Sequence, residues 1–290
     1  MKKKVVITGI SSLIMQKLIS WIDLSRYKVI GISREPSKLK LKGVEIVKGD
    51  IFDTTTYEDQ LVDCYMIIHA AAVTHSFKKE AYYKTNLEAT RELVNSANKY
   101  RIKKFVFISS NTAGPCSGAY GISKFLAEEY IQENFDRYTI IRPSEVYGGE
   151  GKEGIEKVIS DVFEKPFVLC PLGVPTNFMP IHIEDAVKII YLKAFKSIDN
   201  NTVEILTGQE EFTFFELIEL AKSISGRNPR IIYIRKSIIF MIKRVVEKIP
   251  FNIGILPDQI DRLYCIKKKG NSVTEMKKLE TYIKDMYSSR

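Results

Sequence analysis

Short apolar runs alternate with stretches of helical period through residues 1–146, and this alternation constrains the fold more than any other feature. The runs are Val5-Val-Ile-Thr-Gly-Ile10, Val29-Ile-Gly-Ile32, Val44-Glu-Ile-Val47, Met66-Ile-Ile-His-Ala-Ala-Ala72, Phe105 to Ile108 and Thr139-Ile-Ile-Arg142. Rich in Val and Ile and mostly without polar alternation, they suit strands buried on both faces. Ser11 to Ile22 and Tyr83 to Tyr100 lie between them with apolar residues at helical spacing. This order predicts an α/β fold of Rossmann type, a doubly wound parallel sheet.

The first run reaches Gly9 and passes directly into a helical stretch. That is the dinucleotide entry, in which the pyrophosphate meets a helix N-terminus. Of the three glycines in that fingerprint only Gly9 is present; Ser12 and Met15 stand at the other two places. By itself this fingerprint is a weak signal. A glycine at the third place permits close packing of helix on strand, so the Met15 side chain is expected to turn aside.

A second constellation lies in Ser117-Gly-Ala-Tyr-Gly-Ile-Ser-Lys-Phe-Leu-Ala-Glu-Glu-Tyr130. On a helix, Tyr120 and Lys124 share one face. A phenol, with a reference pKa of about 10, needs a neighbouring cation to act as acid or base near neutrality. Ser109 and Ser110 follow the run Lys104 to Ile108, where a hydroxyl can bond a substrate carbonyl. Serine, tyrosine and lysine in this order are the parts of a hydride-transfer site. The plainer reading is a solvated Tyr and Lys on a surface helix.

Taken together, Thr8-Gly9, Lys48-Gly-Asp50, His69-Ala-Ala-Ala72, Asn86, Ser109-Ser110, Tyr120-Gly-Ile-Ser-Lys124, Arg142-Pro-Ser-Glu-Val-Tyr-Gly148 and Ile181-His-Ile-Glu-Asp185 resemble the extended short-chain dehydrogenase/reductase superfamily. The likeness is to its NAD-dependent epimerase/dehydratase branch. The resemblance implies Ser110, Tyr120 and Lys124 as catalytic residues. It implies a cofactor cradle of Thr8, Gly9, Ser11, Ser12, Leu13 and Ile14. Asp50 and Ile51 would meet the adenine, and Ala70, Ala71 and Ala72 would pass behind the phosphates. Asn86, Ser109 and Pro143 complete the implied cofactor set, with Tyr120 and Lys124 shared between the two roles.

The chain also departs from that pattern. The span from Ser110 to Tyr120 is shorter than in sugar-nucleotide relatives, and Asn177 and Phe178 stand where many of them carry an arginine. After the second strand, NAD enzymes place an acid against the ribose 2′-hydroxyl. Here Ser33 holds that place and Arg34 follows; a guanidinium can pair with a 2′-phosphate in two parallel bonds. The expected cofactor is NADP, with NAD as the alternative. Glu35, next to Pro36, is a competing acid.

Residues 1–146 are thus expected to form the dinucleotide-binding domain, with segments near 179–206 returning to it. Residues 147–290 should supply most of a smaller substrate lobe. In that half Gly148 to Gly154 reads as a flexible loop, Val203 to Leu206 as a returning strand and Thr213 to Ser225 as a helix capped by Thr213. Pro257 to Leu263 reads as a helix start, and the lysine-rich tail 267–290 as solvated. Ser237 to Ile249 is apolar and basic at helical period; it suits either packing on its own domain or lying on a membrane surface.

The net charge of +9 fits attraction of anionic cofactors and substrates, and the lysines are too dispersed to point to nucleic acid. The four cysteines and three histidines show no paired spacing or cluster, so neither disulfides nor a metal site is expected. No apolar run is long enough for stable membrane insertion, and a cytoplasmic location is expected. The reading is an NAD(P)-dependent oxidoreductase or epimerase acting on a nucleotide sugar, with a homodimer left open. Its alternatives are a reductase of a small ketone or aldehyde, and a non-catalytic sensing or assembly protein of the same fold.

Overall fold

The computed structural model describes residues 1–149, 154–248, 256–270 and 275–287. The strands are β1 (Lys3–Thr8), β2 (Tyr27–Ser33), β3 (Glu45–Lys48), β4 (Cys64–His69), β5 (Lys104–Ile108), β6 (Tyr138–Pro143), β7 (Val146–Tyr147), β8 (Phe167–Pro171), β9 (Ile181–His182), β10 (Thr202–Leu206) and β11 (Arg230–Ile234). Seven of them form one sheet in the order β10-β6-β5-β4-β1-β2-β3. Every pairing from β3 across to β6 is parallel. The doubly wound parallel sheet expected from the alternation is therefore present. The order reverses between β1 and β4, which makes the carboxyl ends of these two strands a topological switch point.

Two compact units divide the chain: Met1–Arg142 with Val187–Glu204, and Pro143–Ala186 with Ile205–Arg290. The first is built on the sheet. Val6, Ile30, Ile67, Phe105 and Phe107 are fully buried between helices that include Ala89–Lys99 and Gly118–Asn134. Each such side chain contributes about 1.5–3 kcal/mol of apolar transfer. The second unit has its own core, in which helices Gly154–Glu164 and Phe214–Ser225 pack Ile155, Ile159, Leu217 and Ile218 against β8 residues Val168 and Cys170.

Several elements differ from the expectation. The helix after β1 is shorter, Leu13–Ile19, because Ser20 closes it with its hydroxyl on the Lys17 carbonyl. The helix expected from Tyr83 begins earlier, at Lys79, and is π-wound over Tyr83–Glu88 before Ala89–Lys99. The tail is not a solvated coil: Lys267 is buried against Glu145, and Leu279–Tyr287 is a helix with Leu279 and Ile283 in the core. Residues 150–153 of the glycine-rich loop, Ile249, and residues 271–274 and 288–290 of the tail lie outside the described residues. Thr213 caps helix Phe214–Ser225 as expected, reciprocally with Glu216.

Candidate functional site

At the carboxyl ends of β1 to β4 the first unit carries a cleft of about 380 Å³. Each wall is the loop that follows one strand. Gly9, Ser11 and Ser12 come from β1; Ser33, Arg34, Glu35 and Lys38 follow β2; Gly49, Asp50, Ile51 and Phe52 follow β3; Ala70, Ala71, Ala72 and Val73 follow β4. Gly9 holds φ at +69°, and a Cβ there would lie 2.5 Å from the backbone of Ala70 and Ala71. Only glycine lets the β1 and β4 loops meet so closely at the switch point.

The neighbouring fingerprint places are occupied differently. Ser12 caps helix Leu13–Ile19, accepting from the Met15 N–H. Met15 is fully buried and does not line the cleft. Its side chain has turned into the core instead of crowding the loop. Leu13 and Ile14 open that helix and do not line the cleft either.

Thr8, at the end of β1, faces the interior. Its hydroxyl lies 2.6 Å from His69 Nδ1, and Thr90 Oγ1 lies 2.9 Å from Nε2. Thr90 donates its own proton to the Asn86 carbonyl, so it accepts from Nε2–H and leaves Nδ1 to accept from Thr8. Burial pushes the His69 imidazole down to about 3, with the charge of Lys124 acting in the same sense.

Asn86 sits in the π-wound turn with no exposed surface. Its Oδ1 accepts from the Val73 N–H at 2.9 Å, and its Nδ2 donates to the Val73 carbonyl and to Ser123 Oγ at 3.1 Å each. The side chain thus clamps the backbone that ends the Ala70–Ala72 wall and ties it to helix Gly118–Asn134. Val73 in turn packs on Tyr82, Ala119 and Tyr120, so a single residue touches both the cleft and the tyrosine.

Ser110, Tyr120 and Lys124 lie outside the cleft lining, at the end of β5 and on helix Gly118–Asn134. The Ser110 hydroxyl sits 2.9 Å from Thr112 Oγ1. Tyr120 is largely buried, with its ring edge-on to Tyr82 at 6.1 Å. Lys124 is buried; its Nζ donates to the Ile108 carbonyl at 2.7 Å and lies 3.9 Å from the Phe107 ring centroid. Burial pushes its ammonium down to about 7, against the opposing pull of Glu128. Ser109 turns the other way. Its hydroxyl bonds Glu128, which is buried and paired with Arg142 of β6. Pro143 is the last residue of β6 and the first of the second unit.

The sequence reading missed Lys38, Phe52, Val73 and Thr85 as cleft residues, and Gly121 as a packing residue. A Cβ on Gly121 would strike the Thr112 carbonyl at 2.4 Å, so the short span before Tyr120 lies directly on the helix. A glycine directly after Tyr120 was the available signal.

No helix among the described residues is long and apolar enough to cross a membrane. The model for the NAD dependent epimerase/dehydratase family matches residues 5–203. Among curated proteins, the 40 kDa subunit of mitochondrial NADH-ubiquinone oxidoreductase from Neurospora crassa is 20% identical over 76% of this chain and 57% of its own length. UDP-glucose 4-epimerase from Vibrio cholerae is 28% identical over 51% of this chain and 53% of its own length. The chain therefore spans only about half the length of these relatives. Among solved structures, Bordetella bronchiseptica WbmG in complex with NAD superposes with a TM-score of 0.70 at 15% identity, covering 99% of this chain and 95% of that one. The dTDP-4-dehydrorhamnose reductase of Bacillus anthracis, in complex with NADP, gives 0.64 at 18% identity, covering 82% and 85%. With most of the first unit inside the matched span, the chain belongs to the NAD dependent epimerase/dehydratase family.

Proposed function

We propose that this protein is an oxidoreductase or epimerase that binds a nicotinamide dinucleotide, NADP in preference to NAD, and acts on a nucleotide sugar. The observation that carries the reading is the cleft at the switch point, where Gly9 closes against Ala70 and Ala71 and the β2 loop presents Ser33, Arg34 and Lys38. The absence of a side chain at Gly9 suits close approach of a diphosphate. Arg34 and Lys38 suit a 2′-phosphate, and Lys38 already engages the competing acid Glu35 at 2.6 Å. The nucleotide-sugar assignment is supported by the name of the Vibrio cholerae relative.

A bound nicotinamide would supply hydride transfer. The chain's own residues would do the rest. Ser110 would hold a substrate oxygen by its hydroxyl, and Tyr120 would hold or move the proton at that oxygen. Lys124, whose ammonium burial pushes down, would be drawn back toward its charged form by a neighbouring anion and so favour the phenolate of Tyr120. The second unit would hold the sugar nucleotide.

Calorimetric titration with NADPH and NADH tests the reading. NADPH is expected to bind more tightly, and Arg34→Ala to narrow the difference by about 1–3 kcal/mol. Equal affinities in the parent would remove the NADP preference. No binding of either cofactor, oxidised or reduced, at millimolar concentration would remove the enzyme and favour a non-catalytic relative.

A further inference from the structure

The basic, apolar segment after β11 takes no part in the cleft. It forms helix Lys236–Val246. One side packs on its own unit: Ile239 and Val246 are buried, Ile239 lies against Ile260 and Tyr264, and Lys243 pairs with Asp261 at 2.5 Å. Among the described residues the other side has no such cover. Ile238, Met241 and Val245 are 44%, 61% and 55% exposed. With the half-buried Ile242 they follow the i, i+3, i+4, i+7 spacing of one continuous helical stripe.

Strand β11, which leads into this helix, and its partner β8 also carry exposed apolar side chains. Leu169 of β8 and Ile232 of β11 are cross-strand partners, and both are exposed, as is Phe167. Single exposed apolar side chains need no explanation; an aligned helical stripe of them marks an interaction surface.

Charge identifies the occupant. From Arg227 to Lys248 the sequence holds seven Lys or Arg and one carboxylate, Glu247. Arg235 at the N-cap, Arg244 on the helix and Lys248 just past its C-cap are all exposed, and by helical spacing the first flanks one edge of the stripe and the other two the opposite edge. A second copy meeting this face by two-fold symmetry would bring like charges together. An anionic bilayer would not. The helix has 11 residues, too few to span a membrane and enough to lie along one.

We propose that helix Lys236–Val246 docks the protein onto an anionic lipid surface. Ile238, Met241 and Val245 enter the boundary between headgroups and acyl chains, and Arg235, Arg244 and Lys248 meet lipid phosphates. This attachment is independent of the reaction proposed above.

Co-sedimentation of the full chain with vesicles tests it. Vesicles containing one-third phosphatidylglycerol in phosphatidylcholine should carry the protein down, and pure phosphatidylcholine should not. About 0.5 M salt should release it, because screening removes the charge contribution. Met241→Glu with Val245→Glu should lower the vesicle partition at least tenfold, and so should Arg244→Glu with Lys248→Glu. Both pairs are at exposed positions, so thermal melting should match the parent. Equal binding to both vesicle types, no binding to either, or binding unchanged in the variants would overturn the proposal. A concentration-dependent dimer that the Met241→Glu pair dissolves, without vesicle binding, would assign the face to a second copy instead.

Discussion

Tyr120 and His69 are both buried rings of the first unit, one in the proposed reaction and one in the fold. Tyr120 packs on Tyr82, while Lys124 on the same helix donates to Ile108. Tyr120→Phe should leave fold and cofactor binding intact and lower turnover about a hundredfold or more, the scale for a lost general acid or base. Unchanged turnover in the folded variant would exclude the phenol from the reaction. His69 is held neutral, with its value lowered to about 3 by burial and then by Lys124. A depressed folded value means that the unfolded chain takes up the proton first as pH falls. The stabilisation is therefore complete above about pH 6.5 and is lost as pH drops toward 3. By pH 5 the loss through this one group is about 2 kcal/mol. His69→Asn should show a correspondingly smaller drop in urea stability between pH 7 and pH 5, and an unchanged slope would contradict the assignment.

At the scale of elements, Glu128 joins three pieces of the fold. It projects from helix Gly118–Asn134, accepts from Ser109 at the end of β5 and pairs with Arg142 of β6. Its side chain is fully buried and that of Arg142 nearly so, at 0% and 13% exposure. Glu128→Ala leaves a buried guanidinium without its partner and should lower unfolding stability by about 3–5 kcal/mol in a urea melt. The sheet itself was legible in the sequence because each strand of β1 to β6 is an apolar run with few competing readings. The roles of side chains within the elements were less so. Ser109, taken as a cofactor residue, faces Glu128, and Asn86 clamps backbone. Both orientations depend on residues far away in sequence. Met15, expected to turn aside at a missing glycine, shares the buried helix face with Leu18 and Ile19, a destination the helical period already contained.

For the whole molecule, the separation into two units with separate cores has a thermodynamic signature. The cleft is lined only by residues of the first unit. A dinucleotide at a hundred times its dissociation constant stabilises its binding unit by about 2.7 kcal/mol. In scanning calorimetry NADPH should move the transition of the first unit upward by several degrees and leave a second transition in place. One transition that moves as a whole would mean that the units melt together. The lobe arrangement was legible only coarsely, as a loosening of pattern after the sixth strand. The cleft outline depends on where loops from four strands converge, and that is set by the sheet order.

The π-wound turn at Tyr83–Glu88 acts as a phase shifter. Ahead of it Tyr82 meets Tyr120, and beyond it Thr90 meets His69. Removing one residue from the turn would restore ordinary α-helical phase and rotate one of these contacts by about 100° relative to the other. Length in this stretch is therefore fixed more tightly than composition: the segment can absorb exchanged side chains, but a deletion disengages one partner or the other.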